Sequence, residues 1–308
     1  MTDCLLFSAS GKRLVMVAMA MTLLLPVQTM AQPDANCAAS ESNLAWWREI
    51  ANNVSEPRIN ADALAYDLFP CLGSTNSELR DSLGYGLYTH WLRNDSLSLE
   101  TKTVLAQQLS ENLESNESLL RSFSALILSE ILRADANDEF LSQEQRQSML
   151  EKTGETLLAE SDYRGLDSEL GWVHPVAHLA DVMWRFALHP ALDSQQAQLI
   201  LTAVSTKALT PEAAYQFNEG DRLARVATIL LQRELLSEGQ WLDWLNQFQL
   251  RRNGEEWGTV FASVEGMREL HNAKLFLRAL DGQLSNTELS TALRDELNAA
   301  LAMLTALV

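Results

Sequence analysis

Cysteine, glycine and proline are scarce in this sequence of 308 residues, and their scarcity excludes several kinds of protein. The chain contains 3 Cys, 13 Gly and 7 Pro. No two cysteines form a C-x-x-C pair, which argues against redox catalysis and against a cysteine-rich zinc site. Alternating runs of β-branched residues are nearly absent, and no stretch reads as a linker rich in Pro, Gly or Ser. These absences favour a helical protein without a marked domain boundary.

Positive charge is also scarce. The chain has 23 Lys and Arg against 41 Asp and Glu, which gives a net charge of −18. Nucleic-acid binding depends on neutralising phosphates with Lys and Arg, so we expect no nucleic-acid partner. An acidic surface also repels anionic headgroups, so we expect no membrane contact after removal of a signal peptide. The charge is typical of high solubility, or of a ligand that is neutral or cationic.

The N-terminal residues have the pattern of a secretory signal peptide. A basic pair, Lys12 and Arg13, precedes an apolar run that ends at Val27, and small residues follow up to Ala31. The apolar run is shorter than the roughly 20 residues that a membrane span requires. We therefore predict a signal peptide over residues 1–31 and a periplasmic or secreted mature protein, with an uncleaved anchor as the alternative.

Removal of the signal peptide, with its Cys4, leaves two cysteines in the mature chain, Cys37 and Cys71. In an oxidising compartment such a pair is expected to form a disulfide. The alternative is a pair of free, buried thiols. A disulfide at these positions would tie the N-terminal tail to the second predicted helix.

Apolar residues recur at spacings of three and four through nearly the whole mature chain, which predicts amphipathic helices. The predicted helices cover residues 42–54, 60–69, 77–93, 98–113, 117–134, 143–160, 173–188, 194–208, 219–236, 239–250, 261–280 and 286–306. Their length and number predict a single all-α domain over 32–308, built of stacked antiparallel helix hairpins as an irregular α-solenoid or α/α superhelix. A closed α/α toroid is the alternative.

A candidate metal site lies at the start of one predicted helix. His174, His178 and Asp181 stand at i, i+4 and i+7, so on a helix their side chains share an arc of about 60°. Two imidazoles and a carboxylate are suitable ligands for a divalent transition metal such as zinc, manganese or iron. Pro175 favours a helix start, however, and would place His174 at the N-cap, turned away from the others. A buried structural network and a site for a non-metal ligand remain open.

Three charged residues precede the histidines. Glu160 and Asp162 are candidates for acid–base catalysis, or for ligands or partners of the imidazoles. Arg164 lies between them and further acids, where it can brace carboxylates or bind a substrate carboxylate. Bracing is the simpler interpretation.

The segment ESDYRGLDSELGWVHPVAHLADVMW resembles the signature of a bacterial family known only as a domain of unknown function. The family pattern is E-x-D-x-R-G, a short gap, and G-W-x-H-x-x-A-H-x-A-D. This chain departs from it at Pro175, where alanine is common. Weaker similarities occur within residues 79–92, 119–132, 220–226 and 272–280. The resemblance implies an all-helical fold and a shared polar centre at Glu160, Asp162, Arg164, His174, His178 and Asp181.

These features leave open whether the protein is an enzyme. A module that binds a small molecule or a protein fits best, because helical repeats present extended surfaces and no complete catalytic constellation is recognisable. A metal-dependent hydrolase that uses the two histidines and the aspartate is the second hypothesis. The third is a carbohydrate-active toroid with paired acids and exposed tryptophans.

Overall fold

The computed structural model describes Cys37 and residues 39–307. The predicted signal peptide lies outside these residues. Helices dominate the described chain. Their bounds are α1 Glu41–Asn52, α2 Ala61–Leu68, α3 Gly86–Arg93, α4 Leu99–Asn112, α5 Ser118–Asn137, α6 Gln143–Ala159, α7 Pro175–Leu188, α8 Ser194–Ala208, α9 Glu219–Gln232, α10 Glu238–Asn246, α11 Val264–Gln283 and α12 Thr291–Thr305.

Each predicted helix overlaps one of these helices, so the all-α prediction is confirmed. Helix starts follow their capping residues closely. The Ser142 side chain accepts from the Gln145 backbone while the Gln145 side chain accepts from Ser142, a complete capping box at the start of α6. Asp193 and Gln196 form the same arrangement at α8. Such caps satisfy N–H groups that the first helical turn leaves without partners.

The helices alternate between two packed layers. One, which we call layer A, contains α3, α5, α7, α9 and α11, and each member packs against the next. The other, layer B, contains α4, α6, α8, α10 and α12, and successive hairpins such as α4–α5 and α6–α7 join the layers. Helix α12 packs on α10 and α11, and no extensive contact with α1–α3 is present in the described residues. This arrangement is the stacked one rather than the closed ring.

The core follows the layers. Helix α5 is buried over most of its circumference, as expected from its nearly continuous apolar sequence, and it packs most heavily on α7. Of the eight tryptophans, Trp172 has the most exposed side chain, at 43%, whereas Trp91, Trp241 and Trp244 are buried. None of the described helices is both long and apolar enough to cross a bilayer.

The predicted disulfide is present. Cys37 bonds to Cys71, which lies in a short 3₁₀ segment, Phe69–Gly73, directly after α2. The cross-link closes a loop of 34 residues. On the chain-entropy model, a loop of this length stabilises the fold by about 3–4 kcal/mol.

Two local features depart from the predicted helices. The first half of the helix predicted over 77–93 is a π-helix, Glu78–Tyr85, which continues into α3. Between α6 and α7 the chain forms a small antiparallel hairpin of β1 Leu166–Asp167 and β2 Gly171–Trp172. The π-helix and the hairpin contact each other, and the candidate site lies next to this contact.

Candidate functional site

The loop between α6 and α7, residues 160–174, carries most of the predicted site residues and is held from several sides. Glu160 begins it, and its carboxylate accepts two hydrogen bonds from Arg121 of α5, at 2.8 and 2.9 Å. The Glu160 side chain is completely buried. Its backbone carbonyl accepts a hydrogen bond from the ammonium group of Lys207 on α8. Burial lowers the pKa of Lys207 to about 8. Glu160 therefore anchors the loop to two helices and does not face the histidines.

Asp162 and Arg164 pair with each other within the loop. The Arg164 guanidinium donates to both Asp162 oxygens, the shortest distance being 2.6 Å, and the Ser118 hydroxyl donates to the same carboxylate. Burial acts to raise the pKa of Asp162, but the hydrogen bonds from Arg164 and Ser118 outweigh it and the pKa is lowered. The arrangement is the bracing one, since Glu160 and Asp162 each pair with an arginine of their own.

Two glycines of this loop have steric explanations. A Cβ on Gly165 would lie 2.0 Å from Cδ2 of Phe217, so this position allows the ring to pack directly on the loop backbone. Gly171 has a φ of +72°, which glycine adopts without steric cost. A Cβ there would also lie 2.9 Å from Cβ of Ser77. The loop thus packs closely against neighbouring segments at both glycines.

Arg80, from the π-helix, fixes the hairpin. Its side chain is fully buried and donates hydrogen bonds to the carbonyls of Leu170 and Trp172, at 2.7 and 2.9 Å. These two residues flank Gly171, the first residue of β2. Its guanidinium also lies over the Phe123 ring of α5, 4.5 Å from the centroid. The π-helix therefore contributes a side chain that holds the hairpin in place.

His174 is the N-cap residue of α7 and has left-handed backbone, with φ 49°. Its Nε2 lies 2.7 Å from the Phe217 carbonyl and 3.5 Å from the Glu219 carboxylate. Because a carbonyl oxygen only accepts, this nitrogen carries the hydrogen and donates. The other face of the site is aromatic: the exposed Trp172 ring stacks on the imidazole with centroids 5.0 Å apart.

His178 is enclosed by α5 and the loop. The Ser122 hydroxyl donates to the Val173 carbonyl, so its oxygen accepts from His178 Nδ1 at 2.8 Å. The Phe123 ring packs edge-on against the imidazole. Burial, with the nearby positive charges, lowers the pKa of His178 to about 3, so the ring is neutral at physiological pH.

Asp181 pairs with neither histidine. Nη1 of Arg222, on α9, donates to both of its oxygens, at 2.6 and 2.5 Å. Burial raises the pKa of Asp181, although the arginine opposes the shift. The rings of His174 and His178 lie 6.0 Å apart, but the three side chains each have a separate partner. Among the described residues, no three His, Cys, Asp or Glu side chains are placed to share a metal ion.

The Asp181–Arg222 pair is one end of a larger set of charges on layer A. Arg225, one helical turn after Arg222, lies with its guanidinium 3.4 Å from the centroid of the Trp184 ring. Arg185 lies 4.2 Å from the same centroid. Burial lowers the pKa values of Arg185 and Arg225, and neighbouring arginines contribute to this.

The set continues across α5 to α3 through Glu130, which is 3% exposed. Arg93 donates to both of its oxygens, at 2.9 and 2.7 Å, while Arg133 and Arg185 approach at 3.3 Å. Burial acts to raise the pKa of Glu130, but the arginines outweigh it and the pKa is lowered. One buried carboxylate is thus shared by three arginines.

We call this set the arginine strip. It consists of Arg93, Glu130, Arg133, Asp181, Trp184, Arg185, Arg222 and Arg225. Five guanidinium groups accompany two carboxylates, in a chain whose net charge is −18. Sequence reasoning did not find the strip, because its arginines come from four helices and no spacing along the chain connects them.

Residues 105–281 match a family described as "Protein of unknown function (DUF2785)". The match covers more than half of the chain, which therefore belongs to this family. It includes the loop 160–174 and four arginines of the strip, but not Arg93 or Arg80. No curated protein and no solved structure matches the chain.

Proposed function

We propose that this member of the DUF2785 family is an exported binding module whose arginine strip binds an anionic ligand. Export is supported by the signal-like N-terminal sequence and by the disulfide between Cys37 and Cys71, since such bonds form in oxidising compartments. Binding is supported by the layered repeat architecture, which presents side chains of successive helices on one surface.

The excess of arginine over carboxylate in the strip is the observation that carries the proposal. Arg225 takes part in no ion pair or hydrogen bond within the described residues and instead stacks on Trp184. The side chains of Arg93 and Arg222 remain 46% and 40% exposed after pairing with their carboxylates. Guanidinium groups held in place in this way bind carboxylates, sulfates or phosphates through paired N–H donors.

The negative charge of the whole chain does not prevent such binding. Exposed charges farther apart than about 8 Å are largely screened at physiological ionic strength. An anion in contact with the strip therefore interacts mainly with the nearest guanidinium groups. The acidic surface elsewhere confines anion binding to this position and weakens nonspecific anion binding.

The predicted catalytic candidates support binding rather than catalysis. Glu160 is fully buried and paired with Arg121, so it does not reach a substrate proton. Asp162 already accepts from Arg164 and Ser118. These carboxylates hold the loop in place through their hydrogen bonds, and neither is free for acid–base work.

The test is the thermal unfolding of the mature protein in the presence of small anions. Sodium salts of mono-, di- and tricarboxylates, sulfate and phosphate are compared with neutral and cationic compounds at constant ionic strength. A ligand at 100 times its Kd stabilises by about 2.7 kcal/mol, so specific binding raises Tm by several degrees.

Variant Arg225→Ala separates specific binding from the general stabilising effect of salts such as sulfate. We expect it to lose most of the anion-dependent rise in Tm. Arg252→Ala is the matched control, because Arg252 is an exposed arginine that follows α10 and lies outside the four strip helices. An identical rise in wild type and Arg225→Ala, or no rise with any anion, would contradict the proposal.

A further inference from the structure

Both histidines at the start of α7 have a ring nitrogen without a hydrogen-bond partner. His174 donates through Nε2 to the Phe217 carbonyl, and His178 donates through Nδ1 to the Ser122 hydroxyl. A neutral imidazole carries one hydrogen, so Nδ1 of His174 and Nε2 of His178 are acceptors in the neutral rings. Within the part of the chain that the structure describes, neither of these nitrogens accepts a hydrogen bond.

The free nitrogens face away from the groups that hold the rings. Because the two nitrogens of an imidazole point in diverging directions, Nε2 of His178 is directed away from α5, and Nδ1 of His174 away from the loop before α9. The ring centroids lie 6.0 Å apart, and Arg222 of α9 is close enough to contribute to the lowered pKa of His178. His178 is 8% exposed and the His174 side chain 12%. The two acceptors therefore adjoin the Arg222 end of the arginine strip and retain some contact with solvent.

Asp181, one turn further along α7, also has unused acceptor capacity. A carboxylate offers about four acceptor positions. Nη1 of Arg222 is the only group that donates to Asp181 among the described residues. Arg222 uses no other nitrogen, so its Nε and Nη2 remain available as donors, as does the guanidinium of Arg225. Acceptors on α7 thus lie beside donors on α9.

Resting on the proposed function, we infer that the anionic ligand is a polyhydroxylated carboxylic acid, of the sugar-acid class. Its carboxylate pairs with the guanidinium groups of Arg222 and Arg225. Its hydroxyl groups donate to Asp181 and to the free nitrogens of His174 and His178. These three acceptors stand at i, i+4 and i+7, so they extend about 10 Å along α7. An extended six-carbon acid carries hydroxyl groups over a comparable length, whereas a three-carbon acid reaches fewer of the acceptors.

The same hydrogen-bond accounting disfavours other ligands. Sulfate and simple carboxylates carry no donor, so they would leave the acceptors of α7 unpaired, and enclosed acceptors without donors cost free energy. An amino acid offers an ammonium group, but that group would lie beside the guanidinium groups of Arg222 and Arg225 and be repelled. A metal ion would meet the same repulsion, and no three His, Cys, Asp or Glu side chains of the described residues are placed to share one.

The test is isothermal titration calorimetry of the mature chain with compounds that differ in one chemical feature. Gluconate and hexanoate share a carboxylate and a chain length, but only gluconate carries hydroxyl groups. Glucitol keeps the hydroxyl groups and lacks the charge. Lactate and alanine compare a hydroxyl group with an ammonium group. Galacturonate and its trimer distinguish a free sugar acid from one unit of an acidic polysaccharide.

We expect gluconate to bind at least tenfold more tightly than hexanoate, lactate to bind more tightly than alanine, and glucitol not to bind measurably. His178→Asn keeps a donor for Ser122 but has no acceptor at the position of Nε2. It should therefore reduce the ratio of gluconate to hexanoate affinity at least threefold. A purely structural role of His178 would weaken both acids equally and leave this ratio unchanged.

Phe123→Leu is the matched control, because it disturbs the packing of the same imidazole and keeps Nε2. We expect it to retain the affinity ratio of wild type. If His178→Asn does not fold, His174→Phe provides the same comparison, since it keeps a ring against Trp172 but has no acceptor.

Three results would overturn the inference and leave the proposed function intact. The first is equal affinity for gluconate and hexanoate when small anions still raise Tm. The second is tighter binding of alanine than of lactate. The third is an unchanged affinity ratio in the histidine variants. Binding of glucitol as tightly as gluconate, or failure of every anion, would instead remove the proposed function itself.

Discussion

The buried histidine of α7 makes stability depend on pH in a predictable way. His178 lies between Ser122 and Phe123, and burial lowers its pKa to about 3 in the folded protein. In the unfolded chain the same ring has a pKa near 6.5. Between these values the unfolded chain binds a proton that the folded protein excludes, so stability falls as the pH is lowered.

The size of the effect follows from the difference in proton uptake. Each pH unit below the unfolded pKa costs about 1.4 kcal/mol until the folded pKa is approached. Acidification from pH 7 to pH 4.5 therefore removes about 2–3 kcal/mol through this ring alone. Above pH 6.5 the contribution is fully present and does not change further.

The assay is urea unfolding of the mature chain followed by circular dichroism between pH 7 and pH 4.5. Protonation of carboxylates with lowered pKa values, such as Asp162, also reduces the free energy of unfolding in acid. Wild type is therefore compared with His178→Asn, which isolates the contribution of the histidine. The asparagine amide keeps a donor for Ser122 but gains no proton in this pH range. Acidification should therefore lower the free energy of unfolding of the variant by about 2–3 kcal/mol less than that of wild type.

Variant Phe123→Leu is the matched control for lost packing. It removes the ring that contacts the imidazole but leaves the titrating group. We expect it to lower stability at pH 7 and to keep the pH dependence of wild type. Parallel pH curves for wild type and His178→Asn would refute the reasoning, because the ring would then not be held neutral by the fold.

The remaining predictions concern the anchoring of the loop and the disulfide, and each is measured by chemical denaturation at pH 7. Gly165→Ala places a methyl group 2.0 Å from Phe217 and should cost about 1–3 kcal/mol; an unchanged midpoint would show that the ring is free to move. Arg121→Ala removes both hydrogen bonds from Arg121 to the fully buried carboxylate of Glu160 and leaves the one from the Asp162 backbone, so we expect a loss of about 3–5 kcal/mol, and a loss below 1 kcal/mol would contradict the anchoring role of Arg121. Cys37→Ser should lower stability by about 3–4 kcal/mol, and reduction of wild type should reproduce that change but leave the variant unaffected.

The sequence predicted the helices well because helix formation depends on local patterns. Apolar spacing placed each helix, and capping residues such as Ser142 marked the starts. The hairpin was not predicted, because its two strands are two residues each and depend on Arg80, which lies about ninety residues away. No local pattern carries that information.

The partners of the candidate site residues could not be predicted from their spacing. The spacing of His174, His178 and Asp181 assumed that all three belong to a regular helix, but His174 has left-handed backbone at the N-cap. Asp181 faces Arg222 on another helix. The sequence placed Arg222 within a predicted helix but did not indicate its pairing with Asp181, since pairing across layer A depends on packing that spacing does not reveal.

Net charge likewise gave no indication of the arginine strip. It averages over the whole surface, whereas binding depends on charges within about one Debye length of the contact. The arginines of the strip are few among the charged residues of the chain and become a cluster only when α3, α5, α7 and α9 pack side by side.

The most direct test of the account is nuclear magnetic resonance of the arginine side chains. The mature protein is labelled with ¹⁵N-arginine, and the Nε–H signals of Arg93, Arg133, Arg222 and Arg225 are assigned with single lysine variants. On titration with the small anion that raises Tm most, we predict saturable shifts of the strip signals, including that of Arg225, and an unchanged signal for Arg252. Shifts of Arg252 with static strip signals, or no saturable shift at all, would contradict the claim that the strip is the binding surface.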